Sequence, residues 1–189
     1  MANKVKFGLK NVHVFPITSE TAETTTYGEV IPVPGAVNLS LSPEGTSENF
    51  YADDIVYFSQ FANGGYSGDL EIALVPEEFE VGILGFTRDA NGNILERSDA
   101  RPNNFAMVFE FDGDQKKTRH LFYKMSVARP NIASSTKTDT ITPATDTLTL
   151  TALSDLQGNI RTKLSEGNKG YDTVLESVYT PAPAEEPGA

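Results

Sequence analysis

A chain of 189 residues with 39% hydrophobic and 10% aromatic residues can bury enough apolar area for one packed domain, which excludes wholesale disorder. It has no cysteine, which excludes disulfides, thiolate metal sites and a cysteine nucleophile. The formal net charge of −11 argues against tight binding to nucleic-acid phosphates, because such binding requires an electropositive surface.

The start of the chain and its hydropathy bear on localisation. The segment from Met1 to Lys6 lacks the apolar core of a signal peptide, and no apolar run approaches the roughly 20 residues of a membrane span. We therefore expect a soluble protein that is made in a cytoplasm and has no membrane partner.

Alternating apolar and polar residues predict strands with one buried face. The alternation is clearest in Val37–Leu41, Leu70–Leu74, Phe105–Phe111 and Leu148–Ala152. Segments rich in Val, Tyr and Phe predict further strands at Asn11–Ile17, Glu48–Phe58 and His120–Val127. Turn signals lie at Asn63-Gly64-Gly65, Asn91-Gly92, Asp112-Gly113 and Gly158-Asn159. The pattern predicts a mainly β, antiparallel, hairpin-rich fold.

One segment, Pro76–Gly85, departs from this pattern and predicts a flanking α-helix. Pro76 suits a first helical turn and acidic residues follow it, while Phe79 and Ile83 form an i, i+4 apolar pair and Gly85 can end the helix. The segment Tyr171–Tyr179 fits either a short second helix or a last strand.

Three polar segments predict long loops or arms: Thr18–Tyr27, Asn131–Asp146 and Pro181–Ala189. We expect residues 1–180 to form a single β domain with an N-terminal arm, and residues 181–189 to form a flexible tail rich in Pro, Ala and Glu. In an assembling protein, such arms would become ordered on contact with a neighbour.

Residues that could carry chemistry are few. His13 and His120 lie in different predicted strands without a second ligand at metal-binding spacing, which favours structural roles. Asp53 and Asp54 would point to opposite faces of a strand and would not share a proton. The run Gly64–Gly68 lacks the spacing of phosphate-binding loops and nucleophile elbows, so a hairpin turn explains it better.

Two further segments weakly resemble binding motifs. Asp89–Asn93 has its glycine too early for a calcium loop and lacks the late bidentate glutamate. The basic run Lys116–His120, followed by Phe122 and Tyr123, could stack on nucleic acid, but a solvated strand start or the basic partner of an acidic neighbour explains it better. We therefore predict a non-enzymatic protein without cofactor or metal.

Charge is segregated along the chain. No Lys or Arg occurs from Asn11 to Thr87, whereas twelve acids do, and most bases lie between Arg88 and Lys169. One interpretation is a solvated acidic surface, and the other is an acidic face that meets a basic face of a neighbouring copy. The candidate lumen or subunit-interface charges are Glu48, Asp53, Asp54, Asp69, Glu71, Lys116, Lys117 and Arg119.

Several short strings, taken in order, resemble the phi13-type major tail proteins of siphophages. They are Lys10–Val14, Pro34–Val37, Tyr51–Asp54, Asn63–Glu71, Pro76–Phe79, Phe109–Asp114, Thr118–His120 and Ser126–Pro130. The resemblance covers roughly residues 5–155, and the C-terminal part is less characteristic.

The resemblance implies a tail tube fold, an antiparallel β-sandwich or partly closed barrel flanked by one helix. It also implies hexameric rings of the protein that stack into a tube in the virion tail, with tape measure, terminator and baseplate proteins as further partners. DNA would pass through the lumen without specific binding, and acids lining the lumen would repel its phosphates. The resemblance implies no catalytic residue.

Two other functions remain open at this point. One is a related virion ring component, such as a tail terminator or baseplate protein, which would form a single ring. The other is a β-module that binds carbohydrate or a host surface through the Tyr and Phe residues between Phe50 and Tyr66.

Overall fold

The computed structural model describes residues 7–52, 54–114, 116–134 and 144–182, without the side chains of Glu48, Phe50 and Ala52. The strands are β1 (Leu9–Glu20), β2 (Thr25–Tyr27), β3 (Ile31–Pro32), β4 (Ala36–Ala52), β5 (Ile55–Ile72), β6 (Thr87–Arg88), β7 (Ile94–Leu95), β8 (Phe105–Phe111), β9 (Arg119–Val127), β10 (Asp146–Leu153) and β11 (Arg161–Leu164). One helix, α1 (Glu77–Gly82), occurs in the described chain.

Nine strands form one antiparallel sheet, seven of them in the order β2-β1-β8-β9-β10-β5-β4. Strand β3 pairs with β1, and β11 pairs with the first half of β9, whose second half pairs with β10. Strands β6 and β7 form a separate small hairpin. The predicted mainly β, antiparallel fold is confirmed, and in the described residues it is sandwich-like and does not close into a barrel.

Helix α1 closes the main core on one face of the sheet. The helix is confirmed but is shorter than the predicted segment Pro76–Gly85: Pro76 is its N-cap residue, Ile83 is its C-cap residue, and Gly85 lies beyond it with a φ of 77°. Phe79 is 1% exposed and lies edge-on to Phe105 with ring centroids 6.0 Å apart, while Ile83 is fully buried. Their burial follows from the i, i+4 spacing, which places both side chains on one side of the helix.

The opposite face is covered only in part. A segment of turns from Tyr171 to Tyr179 packs against Ala106, Val108 and Leu121, so that β8 is buried on both faces. This segment is neither the helix nor the strand that its sequence allowed. Beyond it, the same face of β10, β5 and β4 is uncovered.

The structure corrects the predicted path of the chain between Glu48 and Gly65. The segment Glu48–Phe58 is not one strand, because the chain reverses between Ala52 and Ile55. The expected turn at Asn63–Gly65 is not a turn but lies inside β5. A glycine is needed at position 65 because the backbones of β5 and β10 approach closely there. A Cβ on Gly65 would lie 2.0 Å from the carbonyl oxygen of Ala152.

Other turn and loop predictions have mixed outcomes. The turns at Asn91-Gly92, Asp112-Gly113 and Gly158-Asn159 are confirmed. Leu74 lies beyond the end of β5 and is 73% exposed. The segment Thr18–Tyr27 is not a long loop, since it contains the end of β1 paired with β2. Residues 135–143 of the polar segment Asn131–Asp146 and residues 183–189 of the tail lie outside the described residues.

Candidate assembly surface

The hairpin of β4 and β5 continues far beyond the sheet. Strand β5 pairs with β10 only between Tyr66 and Ile72, whereas its pairing with β4 continues to the Ala52–Ile55 pair. We call residues Glu44–Asn63 the arm. With a rise of about 3.3 Å per residue, each of its strands extends roughly 30 Å past the sheet.

The arm concentrates exposed apolar side chains. Six of the thirteen large apolar side chains that are exposed among the described residues lie on it, between 50% and 72% exposed. They are Tyr51, Ile55, Val56, Tyr57, Phe58 and Phe61. Single exposed apolar residues are normal on a protein surface, but a contiguous group indicates an interaction surface.

These side chains occupy both faces of the arm. The pairs Phe50 with Phe58 and Ser47 with Phe61 lie in a regular part of the ladder, so Phe58 and Phe61 point to opposite faces. Ile55 and Val56 are consecutive residues near the turn and also point to opposite faces. The arm therefore presents two apolar faces, unlike a strand pair that lies on a core.

The uncovered part of the sheet is polar. Its outward positions carry Asn38, Ser40 and Ser42 on β4, Ser67, Asp69 and Glu71 on β5, and Thr147, Thr149 and Thr151 on β10. The carboxylate of Asp69 accepts a hydrogen bond from Thr149 Oγ1 at 2.8 Å, and that of Glu71 accepts one from Thr145 Oγ1 at 2.6 Å. We call this surface the polar face; its only ionisable groups at these positions are two carboxylates.

The structure brings only some of the predicted charged residues together. Asp69 and Glu71 share the polar face. Asp54 is exposed at the tip of the arm with a φ of 60°, so it belongs to a turn and not to a strand as predicted. Asp53 and the side chain of Glu48 lie outside the described part of the structure.

The predicted basic residues lie elsewhere, at the start of β9. Arg119 Nε is 3.1 Å from Glu110 Oε2, and its guanidinium group is 4.2 Å from the ring centroid of Tyr171. Lys117 Nζ is 2.9 Å from Glu166 Oε1, and Lys116 is exposed. Arg119 and Lys117 are therefore compensated within the subunit.

The described parts of the chain contain no cluster of metal-binding side chains. No group of three or more His, Asp or Glu side chains in these residues could hold a metal ion. The segment Asp89–Asn93 is closed by its own hydrogen bonds, because Asp89 Oδ1 accepts from the backbone N–H groups of Asn91 and Asn93. The side-chain amide of Asn93 also donates to Asp89 Oδ2 at 3.1 Å, and this bond, together with the backbone bonds, lowers the pKa of Asp89.

A polar cavity of about 370 Å³ lies between the β1–β2 turn and the C-terminal segment. The hydroxyl of Tyr27 donates to the backbone carbonyl of Tyr123 at 3.2 Å. Burial raises the pKa of both tyrosines above their ordinary value near 10. The hydroxyls remain protonated at neutral pH and serve as structural hydrogen-bonding groups.

Comparison with known proteins adds no assignment. No protein-family model matches the sequence, and no curated protein matches it significantly. No helix in the described ranges has the length and hydropathy to cross a membrane.

Sequence reasoning did not identify the arm as the main surface. The signal was present in the run Ile55-Val56-Tyr57-Phe58, in which four apolar residues follow one another without alternation. Such a run is typical of a strand that is covered on both faces. Because Glu48–Phe58 is predicted as a single strand, its Tyr and Phe residues indicate a surface only for the alternative host-binding module, and the two-sided exposure on a hairpin is not predicted.

Proposed function

We propose that the protein is a structural subunit of a bacteriophage tail tube, which assembles with its own copies into stacked, hexameric rings. The observation that supports this most strongly is the arm, with six large apolar side chains on its two faces. The ordered resemblance to siphophage major tail proteins supports the kind of assembly. Tape measure, terminator and baseplate proteins would bind this assembly in the virion tail.

The energetics of the arm favour association. A two-stranded hairpin without further packing is marginally stable in water. Covering the six exposed apolar side chains would contribute on the order of 10 kcal/mol before the cost of association, which is about 4 to 15 kcal/mol. Because both faces are apolar, full coverage requires protein on both sides of the arm, as at a junction between neighbouring subunits.

The polar face fits the lining of a channel that passes DNA. Its hydroxyl groups are uncharged, and Asp69 and Glu71, which form no ion pair within the described residues, would repel phosphates. At an ionic strength of 0.15 M, this repulsion extends about 8 Å from the surface. In a ring, each copy would contribute the same two carboxylates to the lumen.

The proposal is tested by substituting one aromatic residue on each face of the arm. We expect the double variant Phe58→Ser with Phe61→Ser to stay monomeric at concentrations where the unmodified protein forms tubes, as measured by light scattering and negative-stain microscopy. Neither side chain is buried in the monomer, so its unfolding midpoint should be unchanged. The control Leu74→Ser removes an equally exposed side chain outside the arm and should assemble normally.

The same images separate the competing functions. Isolated rings of the unmodified protein would instead support a terminator or baseplate component. Monomers at every concentration would support a module that binds a host surface. Tubes formed equally well by the double variant would show that the arm does not drive assembly.

A further inference from the structure

Near the base of the arm, the sheet carries an open aromatic groove of about 280 Å³. On the same face of the sheet, Phe79 of helix α1 packs against Phe105, and Phe109 and Phe122 belong to the same apolar cluster. The groove is lined there by Leu39, Leu41, Tyr66, Phe109, His120 and Phe122. We call it the aromatic groove.

The floor of the aromatic groove is a stack of rings. The Phe109 and His120 rings are 5.2 Å apart and almost parallel, at 7°. Phe122 also stacks on Phe109, at 6.2 Å, and Tyr66 meets Phe122 edge-on at 5.5 Å. Phe109 and Phe122 are themselves buried, so the accessible apolar surface of the groove comes from its half-buried residues, Leu39, Leu41, Tyr66 and His120, which the ring contacts hold in place.

The rim of the groove is basic. The guanidinium group of Arg161 lies 5.3 Å from the ring centroid of Tyr66 and 5.9 Å from that of Phe122. Lys163 pairs with His120 in the ladder of β11 and β9, which places both residues on the groove side. Arg161 and Lys163 are exposed, and neither forms an ion pair with an acid among the residues described.

We propose that the aromatic groove receives the arm of a second copy of this chain. This inference rests on the proposed self-assembly and identifies the surface that accepts the arm. The arm matches the apolar floor of the groove and its basic rim. It carries exposed aromatic and aliphatic side chains, and its sequence from Glu44 to Asn63 contains four acids and no Lys or Arg. Apolar contacts supply affinity, and opposite charges at the rim set the orientation.

The arm of the same chain does not reach this groove. Leu39, Leu41 and Tyr66 belong to the base of the hairpin, and the ladder runs without reversal from the Pro43–Tyr66 pair to the Ala52–Ile55 pair. The tip is thus roughly 30 Å away along its own strands. The occupant must come from another copy.

An arm that enters the groove of the next copy makes a head-to-tail contact. The two contacting surfaces differ, so a pair of subunits still has one free arm and one free groove, on different subunits. Contacts of this type propagate into rings or open helical assemblies instead of stopping at a dimer. Docking of the arm in the groove of the next copy would therefore produce the rings and tubes proposed above.

Charge reversal at the rim tests this docking. We expect Arg161→Glu with Lys163→Glu to raise the protein concentration needed for assembly at least tenfold, measured by light scattering. The matched control Arg101→Glu with Lys169→Glu reverses one Arg and one Lys, both exposed and outside the groove, and should assemble like the unmodified protein. Unchanged circular dichroism and unfolding midpoints would exclude misfolding.

A mixing experiment gives a second, independent result. The rim variant has an intact arm, and the variant Phe58→Ser with Phe61→Ser has an intact groove with an unreversed rim. Only the groove of the second variant and the arm of the first remain complementary. The mixture should therefore form 1:1 heterodimers in analytical ultracentrifugation at concentrations where the unmodified contact forms but which lie below the weakened dissociation constant of the rim variant. Because both partners must contribute, neither variant should form this species alone.

The outcomes separate the two proposals. Tubes from the rim variant at the unmodified protein's concentration would overturn the docking and leave the proposed function standing. A mixture that contains only monomers, while the unmodified protein assembles, would also overturn the docking. Failure of the unmodified protein to assemble at any concentration would overturn both.

Discussion

The two ends of the β4–β5 hairpin are built from one continuous ladder but have opposite environments. At the base, residues alternate strictly: Leu70 and Ile72 are buried in the core, while Asp69 points to the polar face. In the arm, apolar side chains occupy both faces, and the six large ones that the structure describes are all exposed. The base of the hairpin is stabilised by the fold, whereas the arm depends on contacts that a single chain does not provide.

This difference separates stability from assembly. Side chains at the base and beneath α1 contribute to the free energy of unfolding of the monomer. Side chains of the arm contribute to association, because they leave water only when another subunit covers them. Substitutions at the base should therefore lower the free energy of unfolding, and substitutions in the arm should weaken assembly. An arm substitution that lowered the free energy of unfolding as much as a base substitution would contradict this distinction.

The largest expected contrast is between two phenylalanines. Phe79 is 1% exposed and Phe61 is 67% exposed. We expect Phe79→Ala to lower the free energy of unfolding by about 3 to 5 kcal/mol, since it leaves a cavity beneath α1. Phe61→Ala should change it by less than about 0.5 kcal/mol and should weaken assembly. Urea unfolding of monomers measures the first effect, and equal losses for both variants would contradict the distinction.

A smaller effect is expected where the arm joins the sheet. Gly65 has a φ of 94°, and an added Cβ would lie 2.0 Å from the carbonyl oxygen of Ala152. We expect Gly65→Ala to destabilise the monomer by about 1 to 3 kcal/mol through overpacking, in addition to backbone strain. The control Gly92→Ala has a similar φ of 90° and no atom within 4 Å of the added Cβ, so it measures the strain alone.

If both glycine variants lose the same stability in thermal unfolding, close packing at the base of the arm contributes nothing beyond strain. If Gly65→Ala loses more, as expected, the glycine is required because β5 and β10 approach each other there.

The smallest effect concerns alkaline pH. Burial raises the pKa of Tyr27, and the carboxylate of Asp155 raises it further. Burial also raises the pKa of Tyr123, although the hydrogen bond with Thr162 partly opposes this. A raised pKa means that the folded state retains the proton that the unfolded state loses near pH 10, so stability should be full below about pH 10 and fall above it.

Urea midpoints measured between pH 8 and 11 test this effect. The double variant Tyr27→Phe with Tyr123→Phe should show a shallower alkaline loss than the unmodified protein. The matched arm variant Tyr57→Phe, at a side chain that is 72% exposed, should retain the original pH dependence. Equal slopes for all three proteins would contradict a role for the buried hydroxyls.

The sequence predicted those elements whose pattern has a single explanation. Alternation over Phe105–Phe111 gave β8, and the Phe79–Ile83 spacing gave α1 and its buried side. It did not predict that β8 is buried on both faces, because the second cover comes from the distant turns after Tyr171. Such long-range packing leaves no local trace in β8 itself.

The arm and the aromatic groove show two further limits of local reasoning. Glycines near Gly65 favour a turn, but close approach of three strands requires them equally, and only the sheet topology distinguishes the cases. The sequence favoured a structural role for His120 but did not indicate the groove that surrounds it. Its neighbours in the groove, Tyr66, Phe109 and Arg161, come from three other strands and meet only in the folded sheet.

The central claim is that both faces of the arm become buried when subunits assemble. Carbene footprinting of Phe58 and Phe61, read by mass spectrometry in monomers and in assembled protein, tests it most directly. The account predicts that both residues lose most of their labelling on assembly while Leu74 keeps its own. Labelling of Phe58 and Phe61 that stays at the monomer level in assembled protein would contradict it.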